Sequence, residues 1–313
     1  MMRQVAAHLD FPTSIALDSQ GGVYVAESGL SFAGPPSVGR ILRIAPDGSR
    51  VCLLDGLRAP VNGVVFHQDS LFISEGGYPG RITRLSLSSG EATSVLDGLP
   101  GFGNYHTNMA VIGPEGKLYF SQGSMTNSGI IGLDSNDLGW LRKIEHNCDI
   151  PAYDLVLTGV NAETPDPASD NGHKVITGSF APFGKAVRPG ERVAGRVPCT
   201  SAVMRCNPDG SGLEVVAWGL RNAFGLRFSP DGRLLAIECK VSNSAINSVK
   251  RLNRETVGKA ERWRTHYGQQ VVTAVVLSGV FKVSDLIDAQ AAGVFIVWQQ
   301  DLGPLKGFVC TGP

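Results

Sequence analysis

His106, Arg221 and Asn222 are the residues of this sequence best placed to do chemistry. Aligning four related stretches on Leu17, Phe66, Ile112 and Phe228 puts Phe11, Pro60, His106 and Asn222 at one equivalent position, just before an apolar strand, with Arg221 beside Asn222. A neutral imidazole takes up a proton near neutral pH, while a guanidinium and a carboxamide offer donors to an anionic or carbonyl-rich ligand. Each also has a plainer reading: His106 as a loop histidine bonded to backbone, and Arg221 with Asn222 as a hydrogen-bonded link between neighbouring segments.

Other candidates are acids and thiols. Glu27 and Glu75 end strands in the first two stretches, as metal ligands or as acids capping exposed edges. Asp134, Asp137, Asp149, Asp154, Asp166 and Asp170 read as solvated loop residues or as calcium ligands. The six cysteines, Cys52, Cys148, Cys199, Cys206, Cys239 and Cys310, are scattered without a CxxC pair. They read as reduced thiols, with a Cys199–Cys206 disulfide or a metal site as the alternatives. Lys250, Arg251, Arg254, Lys259, Arg262 and Arg264 read as a solvated basic face.

The elements that must position these residues repeat. FPTSIALDSQGGVYVAES (11–28), APVNGVVFHQDSLFISEG (59–76), YHTNMAVIGPEGKLYFSQG (105–123) and RNAFGLRFSPDGRLLAIE (221–238) each read as strand, turn, strand. A second hairpin type follows the first three, at 39–57, 80–99 and 201–220. Two hairpins make a four-stranded unit, and a period of roughly 45 to 50 residues is that of a β-propeller blade. Pro46-Asp47-Gly48, Pro208-Asp209-Gly210 and Pro230-Asp231-Gly232 suit tight hairpin turns.

The repeat is interrupted twice. Between the third inner hairpin and its outer hairpin lies a Gly-, Pro- and Asp-rich insertion, from about Gln122 to Pro198, of the kind that forms a rim or lid over a channel mouth. After about residue 240 the blade punctuation disappears, leaving 241–313 as an unassigned α/β tail of irregular structure. The expected fold is therefore all-β, a propeller of which about three and a half blades are recognisable within 1–240.

With 28 basic and 28 acidic side chains the chain carries no net charge, which argues against a general nucleic-acid or anionic-membrane partner. No apolar run reaches the length of a membrane span, and MMRQVAAHLD lacks an apolar signal core. As written the protein reads as cytoplasmic, or periplasmic if its true N-terminus is missing.

The runs NYHTNMAVIGPEGKLYFSQGS and WGLRNAFGLRFSPDGRLLA resemble the soluble glucose/sorbosone (aldose sugar) dehydrogenases, six-bladed propellers that bind pyrroloquinoline quinone (PQQ) and calcium. The resemblance covers roughly residues 10–123 and 200–238. It implies a quinoprotein oxidoreductase in which His106 takes the proton from a sugar hydroxyl, Arg221 and Asn222 contact PQQ, and an external electron acceptor completes the cycle. PQQ is a tricarboxylate, so cationic and amide donors suit it. The run Ile237-Glu238-Cys239-Lys240-Val241 departs from the family pattern, and the later blades are not recognisable, so the reading is a quinoprotein sugar dehydrogenase or its non-functional descendant. The alternatives are a propeller scaffold without catalysis and a calcium-dependent lactonase-like hydrolase.

Overall fold

The computed structural model describes residues 5–29, 38–101, 103–127, 129–137, 141, 147–167, 169, 173–229, 232, 234–242, 252, 256–258, 260–261, 265 and 271–304. Pro230, Asp231, Asp170, Cys310 and the tail's six basic residues lie outside them. The chain forms two compact units that divide at Phe224/Gly225, ahead of the boundary near 240 that the sequence punctuation suggests.

In the first unit, β1 (Pro12–Leu17), β2 (Val23–Glu27), β3 (Gly39–Ile44) and β4 (Arg50–Leu57) form one antiparallel meander, and β5 (Val61–His67), β6 (Ser70–Glu75), β7 (Gly80–Ser86) and β8 (Ala92–Leu99) a second. The third blade begins with β9 (Thr107–Ile112) and β10 (Leu118–Gln122). Its insertion carries α1 (Leu133–Asp137), β11 (Leu155–Thr158), β12 (Asn161–Pro165), β13 (Lys174–Gly178) and β14 (Pro189–Val193). The sheet then resumes with β15 (Ala202–Cys206) beside β10 and ends in β16 (Glu214–Trp218). The fold of this unit is all-β, in propeller-like blades.

The turns work as their residues require. Gly48 and Gly210 hold φ of 85° and 89°, and their amides bond back to Ala45 and Asn207. Strand periodicity then sorts the core. Leu71 and Ile73 of β6 enter a cluster with Ala16, Ile41 and Val61, while Phe72 enters one with Ala110, Leu118 and Met204. Successive side chains of a strand point to opposite faces, so the second blade fills both gaps.

Adjacent blades are joined by a repeated device. The inner hairpins carry a register shift near their outer ends, between Pro12 and Ser14, between Val61 and Gly63, and between Phe120 and Gln122. The residues in the bulges, Thr13, Asn62 and Asn108, stand at equivalent positions. Thr13 Oγ1 donates to the Val61 carbonyl (2.6 Å), Asn62 Nδ2 to the Thr107 carbonyl (2.8 Å) and Asn108 Nδ2 to Asn222 Oδ1 (2.7 Å). A bulge re-aims a side chain out of the pleat, which lets these polar groups reach the next blade, where Ser14 adds bonds to the Val64 backbone and Ser121 one to the Ala223 carbonyl. The effect on the innermost strand is measurable: Ile15 of β1 is 66% exposed, whereas its equivalents Val64 and Ala110 are 4% and 2% exposed beneath the preceding blade.

Across the bulges sit the strand-end residues Glu27, Glu75 and Gln122. Glu75 is fully buried and accepts from Arg81 Nε (2.8 Å) and Nη2 (2.7 Å), the Arg58 amide (2.7 Å) and the Thr83 hydroxyl. Glu27 accepts from the Asp10 amide and from Arg40. Gln122 accepts from Thr107 Oγ1 and donates to the Pro100 carbonyl.

The insertion has more strand than its sequence suggests: β11 pairs with β14 and β12 with β13, both antiparallel. Asp149 ties its two ends together. Its Oδ1 accepts from the Met125 amide and Thr200 Oγ1, and its Oδ2 from Thr126 Oγ1.

The second unit departs from the propeller pattern. β17 (Leu226–Phe228) and β18 (Leu234–Ser242) make the expected fourth hairpin, closed by a bond from the Gly232 amide to the Ser229 carbonyl. Yet β18 pairs in parallel with β19 (Val271–Gly279), and β19 in parallel with β20 (Phe295–Trp298). Helix α2 (Val283–Ala291) makes the crossover that a parallel pair needs. It ends at Gly293 (φ 70°), where the amides of Ala292, Gly293 and Val294 turn back on the last helical carbonyls. Leu252, Ala260, Val275, Leu277, Ala289 and Val294 form a buried cluster. Among the described residues the tail is α/β as expected, and its parallel strands take the place of an outer hairpin.

Removing the Glu75 carboxylate takes the acceptor from the Arg58 amide and from Arg81, which is 24% exposed, so Glu75→Ala is expected to lower the unfolding free energy by about 2–4 kcal/mol, and Asn62→Ala by about 1–2 kcal/mol. Denaturant titration of both variants checks this; equal, small losses would contradict a buried carboxylate hub.

Candidate functional site

His106 sits at the end of the loop that leads into β9. Its Nδ1 lies 2.9 Å from the Gly101 carbonyl, a pure acceptor, so the proton of the neutral ring belongs on Nδ1 and Nε2 carries the lone pair. Burial pushes its pKa below the ordinary value, opposed by the Gly101 and Gly76 carbonyls. The ring is therefore neutral near pH 7. Gly76 is required here, because a Cβ on it would stand 2.7 Å from the Cβ of His106.

Arg221 places its guanidinium over the Tyr105 ring, 5.6 Å from the centroid. Asn222 accepts from Asn108, the bulge residue of the third blade. The three candidates converge around Gly123. Its amide bonds to the His106 carbonyl (2.9 Å), and a Cβ there would meet Tyr105 Cβ at 2.4 Å and Asn222 Oδ1 at 3.2 Å. The start of the insertion joins the same cluster: Asn104 bonds through its amide to the Met125 carbonyl and through Nδ2 to Asp134, and the Tyr105 hydroxyl meets Asn127.

Of the remaining acids, Glu27, Glu75, Asp134, Asp149 and Asp154 have structural partners. Glu27 and Glu75 are occupied by arginines and amides. Asp149 has a pKa raised by burial, with hydrogen bonds from Met125, Thr200 and Thr126 opposing that shift, and Asp154 accepts the Gly195 amide. Asp137 ends α1, and the Asp166 amide donates to the His173 carbonyl. Cys52, Cys148, Cys199 and Cys206 are free thiols, so no Cys199–Cys206 disulfide forms; burial pushes Cys199 and Cys206 up to about 11.

Against this geometry, a PQQ–calcium cradle is short of donors. For three carboxylates the cluster offers one guanidinium, whose face lies over Tyr105, and one carboxamide, whose Oδ1 accepts from Asn108 and whose Nδ2 is its donor group. Among the described residues no three His, Cys, Asp or Glu side chains gather as a metal site. The residues present do not fit the group. The residue that sequence reasoning missed is Asn108, whose signal was the recurrence of Thr13, Asn62 and Asn108 at one aligned position.

Comparison with known proteins divides the chain at nearly the same place as the structure does. Residues 228–298 match the family of the XamI restriction endonuclease. A stretch of 38 residues, 12% of this chain, is 63% identical to the type II restriction enzyme XamI of Xanthomonas campestris pv. amaranthicola. That match spans only 14% of the restriction enzyme's length. Among solved structures, the chain is similar to a putative oxidoreductase (glucose dehydrogenase) of Thermus thermophilus, at 17% identity, covering 74% of this chain and 91% of that one, with a TM-score of 0.33. It is also similar to the PQQ-bound aldose sugar dehydrogenase of Streptomyces coelicolor (14% identity, 70% and 80% covered, TM-score 0.34) and to a putative gluconolactonase (15%, 74% and 57%, TM-score 0.38). At those identities and scores the likenesses add nothing to the blades described above. No described helix is long and apolar enough to cross a membrane.

Because the folded pKa of His106 lies below its ordinary 6.5, its contribution to stability is complete above pH 6.5 and is lost as pH falls through the folded value. Wild type should therefore lose more stability than His106→Gln between pH 7.5 and pH 5. Urea midpoints at the two pH values check this, and parallel losses would contradict it.

Proposed function

We propose that the first unit is a three-blade remainder of a PQQ-dependent aldose dehydrogenase propeller, with His106 at the position of its proton acceptor, and that this chain does not oxidise sugar. One observation carries the reading. The fourth hairpin continues into a parallel sheet, in a segment matching another enzyme family, where a sugar dehydrogenase needs its remaining blades. Closed propellers need at least four blades. The donor shortfall around Arg221 and Asn222 supports the same conclusion. A lactonase reading is weaker still, because Glu27 and Glu75 are bound to arginines.

On this account His106 keeps its neutral, Nδ1-protonated form for the Gly101 carbonyl, and holds the loop before β9 rather than accepting a substrate proton. Supplying PQQ, calcium and an aldose is expected to give no dye reduction above the cofactor blank. Sugar-dependent reduction that disappears in His106→Ala would overturn the proposal and restore an external electron acceptor and a sugar as partners.

A second reading has its own observation. The match to a restriction endonuclease makes nucleic acid the ligand class to test for the second unit, despite the zero net charge. The matched range includes Asp231, Glu238 and Lys240, residue types that metal-dependent nucleases use. Magnesium-dependent nicking of plasmid that is lost in Glu238→Ala would support this reading; an intact plasmid would leave the unit as structure alone.

A further inference from the structure

Next to the Gly76 and Gly101 segments that contact His106, the first unit has a groove of about 490 Å³, a size that suits a small ligand. Three segments build it: the turn between β6 and β7 with Tyr78 and Pro79, the end of β8 with Pro100, and the insertion with Ile150, Arg196 and Pro198. The walls are apolar and stiff. Three prolines fix their φ and offer no amide, so little order has to be gained on binding. Two large apolar groups are left facing water there, Tyr78 at 58% and Val197 at 43% exposure.

The charge pattern is one-sided. Among the described residues lining the groove, Arg196 carries the one charge. The neighbouring pair Arg58–Asp97 is internally neutralised at 2.7 Å, and Arg58 also donates to the Pro79 carbonyl. Arg196 is anchored by its own amide to the Pro151 carbonyl (3.0 Å), so its backbone is placed independently of its side chain. A guanidinium presents a planar fork of donors matched to a carboxylate, and a tyrosine ring favours a flat partner.

We propose that this groove binds a small flat monocarboxylate, with the carboxylate on Arg196 and the ring against Tyr78 and the prolines. The site stands apart from the sugar dehydrogenase reading and does not depend on it. The probe is 2-naphthoate, titrated into the full chain by calorimetry, with uncharged 2-naphthalenemethanol as its counterpart. Saturable 2-naphthoate binding, at least tenfold weaker for the alcohol and at least tenfold weaker in Arg196→Ala, is expected, with partial recovery in Arg196→Lys. Equal affinity for acid and alcohol on wild type, unchanged affinity in Arg196→Ala, or no saturable binding into the millimolar range would each overturn the proposal. The wild-type comparison of acid and alcohol holds even if a variant fails to fold.

Discussion

Each propeller blade buries an inner strand only if a neighbouring blade covers it, and in this chain polar side chains held in β-bulges help fasten that cover. Thr13, Asn62 and Asn108 sit in β-bulges that turn them sideways, toward Val61, Thr107 and Asn222. Everything else in the first unit leans on this joint. The buried carboxylate of Glu75 stands across one bulge, His106 packs against Gly76 at the next, and Gly123 closes the cluster that holds Tyr105 and Asn222. The fourth copy has Phe224 at the donor position. A phenyl ring cannot donate the bond, and the first unit ends at that residue.

After the antiparallel hairpin of β17 and β18 the physical logic changes to a parallel sheet with a helical crossover. The two kinds of sheet differ in what they demand of sequence. Antiparallel blades need tight turns, which Asp47-Gly48 and Asp209-Gly210 supply locally. A parallel pair needs partners far apart in the chain, such as Ile237 with Ala274. The match to a restriction endonuclease from residue 228 falls within a few residues of this structural change.

That difference explains what was legible in the sequence. The hairpins of the first three blades were readable because their turns and apolar alternation are local. The insertion's strands were not, since β12 (Asn161–Pro165) is polar and irregular and finds its place through β13 and the Val187 backbone. The parallel sheet was missed because Gly232 closes the fourth hairpin just as Gly48 and Gly210 close theirs, and the departure comes only in the strand that follows. At the candidate site, sequence alignment brought His106, Arg221 and Asn222 together, and they are neighbours around Gly123. Of their partners, Asn108 was signalled only by its alignment with Thr13 and Asn62, and nothing in residue type announces that Tyr105 takes the Arg221 guanidinium.

The central claim is that the propeller repeat gives way to a parallel sheet within its fourth copy. Amide NOEs in deuterated, isotope-labelled protein test it most directly. The account predicts parallel-register contacts linking Leu235 with Val272, Ile237 with Ala274 and Cys239 with Val276. Antiparallel contacts between 234–242 and the next strand, as a fourth propeller blade requires, would contradict it.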